Sequence, residues 1–145
     1  MVGVRDVQRA FGARRPHDVY RAVESGLIAV QGDLNPGTGR PRGYTRDSLR
    51  DARVAGQLRL LMGAQGGSKP RTALMREVMR KWRGHGRPRD VVVGLRDKVP
   101  TIWLDEDELL RDLRSGCGLV LVRVPPRSEE RNGDEQSRGR GDAHP

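Results

Sequence analysis

A single cysteine, Cys117, stands among the 145 residues, so a disulfide framework within one molecule is excluded, as is a thiolate cluster for a metal. Aromatic residues make up 3% and hydrophobic residues 34%. A core must therefore be built from Val, Leu and Ala, with Trp82 and Trp103 as its large members, and a deep enzyme pocket is not expected. No apolar run approaches the ~20 residues that span a bilayer, and the N-terminus lacks the apolar stretch of a signal peptide. The expectation is a non-enzymatic, cytoplasmic, nucleoid-associated protein with no cofactor, no metal and no membrane contact.

Acidic residues are scarce over the first 90 positions. Residues 1–62 carry 11 basic and 6 acidic side chains and residues 63–90 carry 8 and 2, whereas residues 91–145 hold 9 and 11. The positive charge behind the net +9 thus belongs to the first 90 residues. Clustered cations release counterions from phosphates, so a polyanion is the leading partner.

Apolar residues at three- and four-residue steps mark helices. Val4, Val7, Ala10 and Phe11 give a first short helix one apolar side, and Gly12 ends it. In a second helix Pro16 suits the first position, Val19, Ala22 and Val23 share one side, and Gly26 is the terminator. Residues 27–30 are apolar and lead into a Gly- and Pro-rich stretch, 31–43, that can form only a turn or hairpin tip. Thr45 is placed to cap a third helix bearing Leu49, Ala52, Ala55, Leu58 and Met62. Leu74, Val78 and Trp82, four apart, predict a fourth helix before the breaker at 84–88. Residues 91–95 and 101–104 suit two strands, Asp105 caps a helix after them, and residues 119–124 supply another strand. Beyond Pro126 the charges alternate with Ser, Gly and Asn without apolar periodicity, which predicts disorder.

Two short helices joined at a glycine turn and followed by a basic hairpin match the shape of the DNA major groove. The second helix is the candidate reader. Arg14, Arg15 and His17 lie in its first turn, and Tyr20 and Arg21 sit one turn on, away from Val19 and Val23. Arginine can hold guanine with two hydrogen bonds, and a helix N-terminus favours an anion. In the basic loop Arg40 and Arg42, beside Thr38, are two apart, which on a strand puts both guanidinium groups on one side. The predicted fold is α+β. A winged helix-turn-helix occupies 1–62, a linker 63–70, a small ββαβ-like α/β module 71–125, and a disordered tail 126–145.

The segment GARRPHDVYRAVESGLI followed by TGRPRGYTRDSLRDARVAGQL resembles the winged-helix DNA-binding domain of MerR-type regulators. It is similar as well to the small MerR-like developmental regulators and to phage excisionases. The resemblance covers residues 3 to about 62. It implies that residues 15–21, Asp18 included, form the recognition helix, that Gly26 and Leu27 start the wing, and that Arg40, Arg42 and Tyr44 contact phosphates. The long dimerisation helix and the cysteine cluster of MerR regulators are absent from this sequence, so metal-responsive activation is not implied.

Other features have plainer readings beside the functional ones. Tyr20 and Tyr44 suit packing as well as DNA contact. The second basic cluster, Lys69, Arg71, Arg76, Arg80, Lys81, Arg83, Arg87 and Arg89, can extend a phosphate footprint, bind a neighbouring protomer, or simply solubilise the chain. His85 between two glycines has no ligand-spaced partner, residues 105–108 open a helix where negative charge is favoured, and Cys117 suits packing. The expected function is a sequence-specific double-stranded DNA-binding transcriptional regulator of bacterial or phage type, with residues 71–125 supplying a homodimer or partner surface. Two alternatives stand beside it: an architectural, DNA-bending factor like an excisionase, and an antitoxin-like interaction adaptor that binds DNA for autoregulation.

Overall fold

The computed structural model describes residues 2–32, 43–63 and 69–124. Helix α1 (Val4–Phe11) starts where the Asp6 carboxylate accepts from the Gly3 amide at 2.9 Å, and it turns Val7 and Phe11 inward. Gly12, at φ 76°, ends it in the left-handed region, its N–H donating to the carbonyls of Gln8 and Arg9. Helix α2 (Pro16–Glu24) opens on its proline and buries Val19, Ala22 and Val23, the side that the apolar spacing predicted. The chain then passes buried Leu27 and Ile28 to Gln31, which bridges Gly43.

Helix α3 (Arg46–Met62) is the central element. Thr45 Oγ1 accepts from the Ser48 amide at 3.2 Å and Ser48 Oγ accepts from the Thr45 amide at 3.0 Å, which closes the first turn from both sides. Ala52, Val54, Ala55 and Leu58 are buried. Gly56 lets α1 cross at backbone contact, since a Cβ there would stand 2.7 Å from the Phe11 carbonyl oxygen. Helix α4 (Lys69–Gly84) buries Met75, Val78, Met79 and Trp82. Leu74, expected on that inner side, is 40% exposed. A spacing of four drifts by ~40° per step, and the 75, 78, 79, 82 pattern follows the helix more closely.

Strands β1 (Val91–Arg96) and β2 (Val99–Trp103) form a hairpin whose two turn residues, Asp97 and Lys98, both have positive φ, 49° and 70°. That combination matches the right-handed twist of the strands. Helix α5 (Glu106–Arg114) follows, and β3 (Leu119–Val124) returns antiparallel beside β1, giving the order β2-β1-β3. The architecture is therefore α+β, with five helices and one three-stranded antiparallel sheet among the described residues. Val91, Val93, Ile102 and Val124 join Val7, Val19, Leu58 and Trp82 in one buried cluster, so residues from both sides of segment 64–68 share a core. Trp103, paired in register with Val92, faces the other side of the sheet, where its Nε1 donates to Asp112 of α5 at 2.7 Å. Among the described residues no helix is long and apolar enough to cross a membrane. The predicted tail, 126–145, lies outside the described residues.

Candidate nucleic-acid interface

The turn between α1 and α2 and the outer side of α2 carry the candidate reading residues. Arg14, Arg15, His17 and Arg21 are exposed, while Asp18 and Tyr20 are half-buried on the flanks. None of the three arginines, nor His17 or Asp18, forms an ion pair among the described residues. The structure thus brings six of the ten predicted residues onto one short stretch. Asp18 and Arg21 also border an open cleft of about 490 Å³ shared with Phe11, Leu27, Arg59 and Met75, and the Arg59 guanidinium lies over the Phe11 ring at 5.1 Å. Thr38, Arg40 and Arg42 lie outside the described residues. Tyr44 is half-buried against the core, which agrees with its packing reading.

α2 packs through buried Val19, Ala22 and Val23, and the chain just past its C-terminal end is fixed from α4. The last carbonyls of a helix have no partner within it and carry its negative end. Arg76 Nε donates to the Ser25 carbonyl at 2.8 Å, and Arg83 donates to Gly26 at 2.8 Å and Leu27 at 2.6 Å. Two cations therefore cap the chain as it leaves α2, while the opposite end of the helix stays open.

The stem of the loop beyond α2 is fixed by a buried polar pair on α3. Asp51, fully buried, accepts from the Ala29 amide at 2.9 Å, from Arg83 at 3.0 Å and from Arg87 Nε at 2.9 Å. Ser48, also buried, donates to the Ala29 carbonyl at 2.5 Å. Both backbone groups of Ala29 are thus held by α3. The hydrogen bond to Asp51 raises the Arg87 pKa above its ordinary value, and the charge of Asp47, 3.5 Å away, adds to it. Sequence reasoning passed over Asp51, although a signal was there: Asp51, Ala55, Leu58 and Met62 keep helical spacing, which sets a carboxylate on the apolar stripe.

The second basic cluster is divided by the fold. Arg71 donates to the Met62 carbonyl at 2.7 Å, Arg80 pairs with Glu77, and Arg76, Arg83 and Arg87 are engaged as described. Lys81 and Arg89 stay exposed. Much of this charge is therefore structural, which neither a phosphate footprint nor plain solubilisation had anticipated.

The remaining candidates behave as caps and packing groups. Asp105 Oδ1 accepts from the Glu108 amide at 2.8 Å, and Glu108 accepts from the Leu104 amide at 3.3 Å. His85 Nδ1 lies 2.9 Å from the Lys81 carbonyl oxygen, and Cys117 donates to the Asp112 carbonyl at 3.2 Å. Among the described residues no group of three or more His, Cys, Asp and Glu side chains is placed to hold a metal ion. No family model matches the chain, and neither the curated proteins nor the solved structures yield a match.

Proposed function

We propose that the protein is a sequence-specific double-stranded DNA-binding regulator of bacterial or phage type, with α1, the Gly12 turn and α2 acting as a helix-turn-helix. The observation that carries this reading is the asymmetry of α2. Its exposed side and N-terminal approach offer Arg14, Arg15, His17 and Arg21 without ion partners among the described residues, while Arg76 and Arg83 bind the carbonyls just past its C-terminal end. A reading helix needs this combination, because side chains that must meet base edges have to project from a backbone that does not shift. In this reading Arg40 and Arg42 of the basic loop 31–43 would contact the phosphate backbone.

The test is a mobility-shift titration on DNA from upstream of the protein's own coding sequence and on a scrambled duplex. Arg21→Ala is expected to narrow the preference for the specific duplex by about 1–3 kcal/mol, and an Arg40→Ala/Arg42→Ala double to weaken both duplexes alike. If ~6 phosphates are contacted, log K falls against log salt with a slope near −5. Absence of any shift on either duplex at low salt would overturn the proposal.

A further inference from the structure

Helix α5 is held against the sheet on one side only. Glu108, Leu109 and Asp112 face inward, with Glu108 bonded to the Leu104 amide and Asp112 to Trp103, yet no residue of the helix is fully buried. Two of its three leucines are left in solvent, Leu110 at 37% and Leu113 at 49% exposure. On the sheet face that Trp103 occupies, the strand alternation places Val99 and Leu121, 48% and 40% exposed. Four large apolar side chains thus lie on one side of the molecule. An apolar group of this kind marks an interaction surface rather than a solvated face.

The charges on that side indicate what covers it. Glu106 and Asp107 open α5 and Arg114 closes it, with Leu110 midway. All three charged residues are exposed, and none forms an ion pair among the described residues. Glu106, Leu110 and Arg114 follow at four-residue steps along the outward side, so acid and base are separated by about 12 Å along the axis. A helix with an acidic start, an apolar middle and a basic end is complementary to its own copy when the copy runs the other way. We infer that the outer face of α5 pairs antiparallel with α5 of a second copy about a twofold axis near Leu110. Leu110 then meets its counterpart, and Glu106 and Asp107 of each copy face Arg114 of the other at both ends. Such an isologous contact closes on itself and stops at the dimer. It goes beyond the DNA-binding proposal and does not depend on it.

Sedimentation velocity on the full chain across a concentration series tests the inference. The wild type is expected to form a dimer and Leu110→Asp to weaken it by about tenfold or more. Asp107→Arg and Arg114→Asp, each alone, set like charges opposite one another at both ends and weaken self-association. Mixing these two variants restores opposite charges at both ends of a mixed dimer and recovers association. All three positions are solvent-exposed, so each variant should keep the far-UV circular dichroism spectrum of the folded wild type; if Leu110→Asp fails that check, the mixing arm still decides. A wild type that stays monomeric, a dimer indifferent to Leu110→Asp in a folded variant, or a mixture that recovers nothing overturns the inference.

Discussion

Replacing Asp51 with alanine isolates the pair that joins α3 to α4 and to the chain beyond α2. The carboxylate is fully buried and accepts three well-formed bonds, from Ala29, Arg83 and Arg87. Removing one partner of a fully buried ion pair costs ~3–5 kcal/mol. Here the Arg83 and Arg87 side chains keep 25% and 22% of their surface in solvent, so both recover hydration once the carboxylate is gone. The Ala29 amide adds ~1 kcal/mol of lost hydrogen bonding. The expected net loss is about 3 kcal/mol, which lowers Tm by about 10 °C for a folded unit of this size. Asp51→Asn keeps an acceptor for the Ala29 amide and should cost less, about 2 kcal/mol. Urea unfolding followed by tryptophan fluorescence, at unchanged m, measures both. A loss under ~1 kcal/mol for Asp51→Ala would refute the claim that this carboxylate, rather than the apolar core around it, holds the two arginines.

Four further outcomes follow from the packing. Gly56→Ala should destabilise by about 2 kcal/mol despite its better helix propensity, because the added methyl meets the Phe11 carbonyl oxygen at 2.7 Å; equal or higher stability in a urea titration would show that α1 can shift aside. Gly12→Ala forces a Cβ into a residue at φ 76° and should cost about 1 kcal/mol, read as a lower Tm. Asp105→Ala removes the acceptor for the Glu108 amide and should cost about 1 kcal/mol, a value to be compared with Asp105→Asn, which restores most of it. Trp82 and Trp103 lie on opposite sides of the sheet, so Trp82→Phe and Trp103→Phe give single-tryptophan probes of the two layers. Within either variant, a fluorescence midpoint that differs from the far-UV circular dichroism midpoint would contradict a single cooperative unit.

The apolar spacing made the helices legible wherever a side was uniformly aliphatic, as in Val19, Ala22 and Val23 of α2. The hairpin and the strand after α5 were legible from runs of Val, Ile and Leu, and the Asp105 cap from its place before an acidic first turn. Pairing partners were not. Whether Arg83 and Arg87 are solvated or face a carboxylate depends on residues 32 and 36 positions away, and no local pattern encodes that distance. The same limit hid the role of Arg76, whose partner is the Ser25 carbonyl at the cap of α2. For the candidate interface, the exposed side of α2 could be inferred from the buried one. The spacing of Arg40 and Arg42 beside Thr38, and the family resemblance, marked out those three residues, which lie outside the described residues.

The capping of α2 by Arg83 has a consequence for biosynthesis. Gly26 and the arginine that caps it are 57 positions apart. At 5–20 residues per second a ribosome needs roughly 3 to 11 s to make the intervening chain. During that interval the segment after α2 exists without the arginines that bind its carbonyls, and Ala29 awaits an Asp51 whose own arginines are not yet made. A chain that ends before residue 83 therefore leaves the Gly26 and Leu27 carbonyls without their arginine and Asp51 without either of its cations, so the segment that leads out of α2 lacks the contacts that fix it.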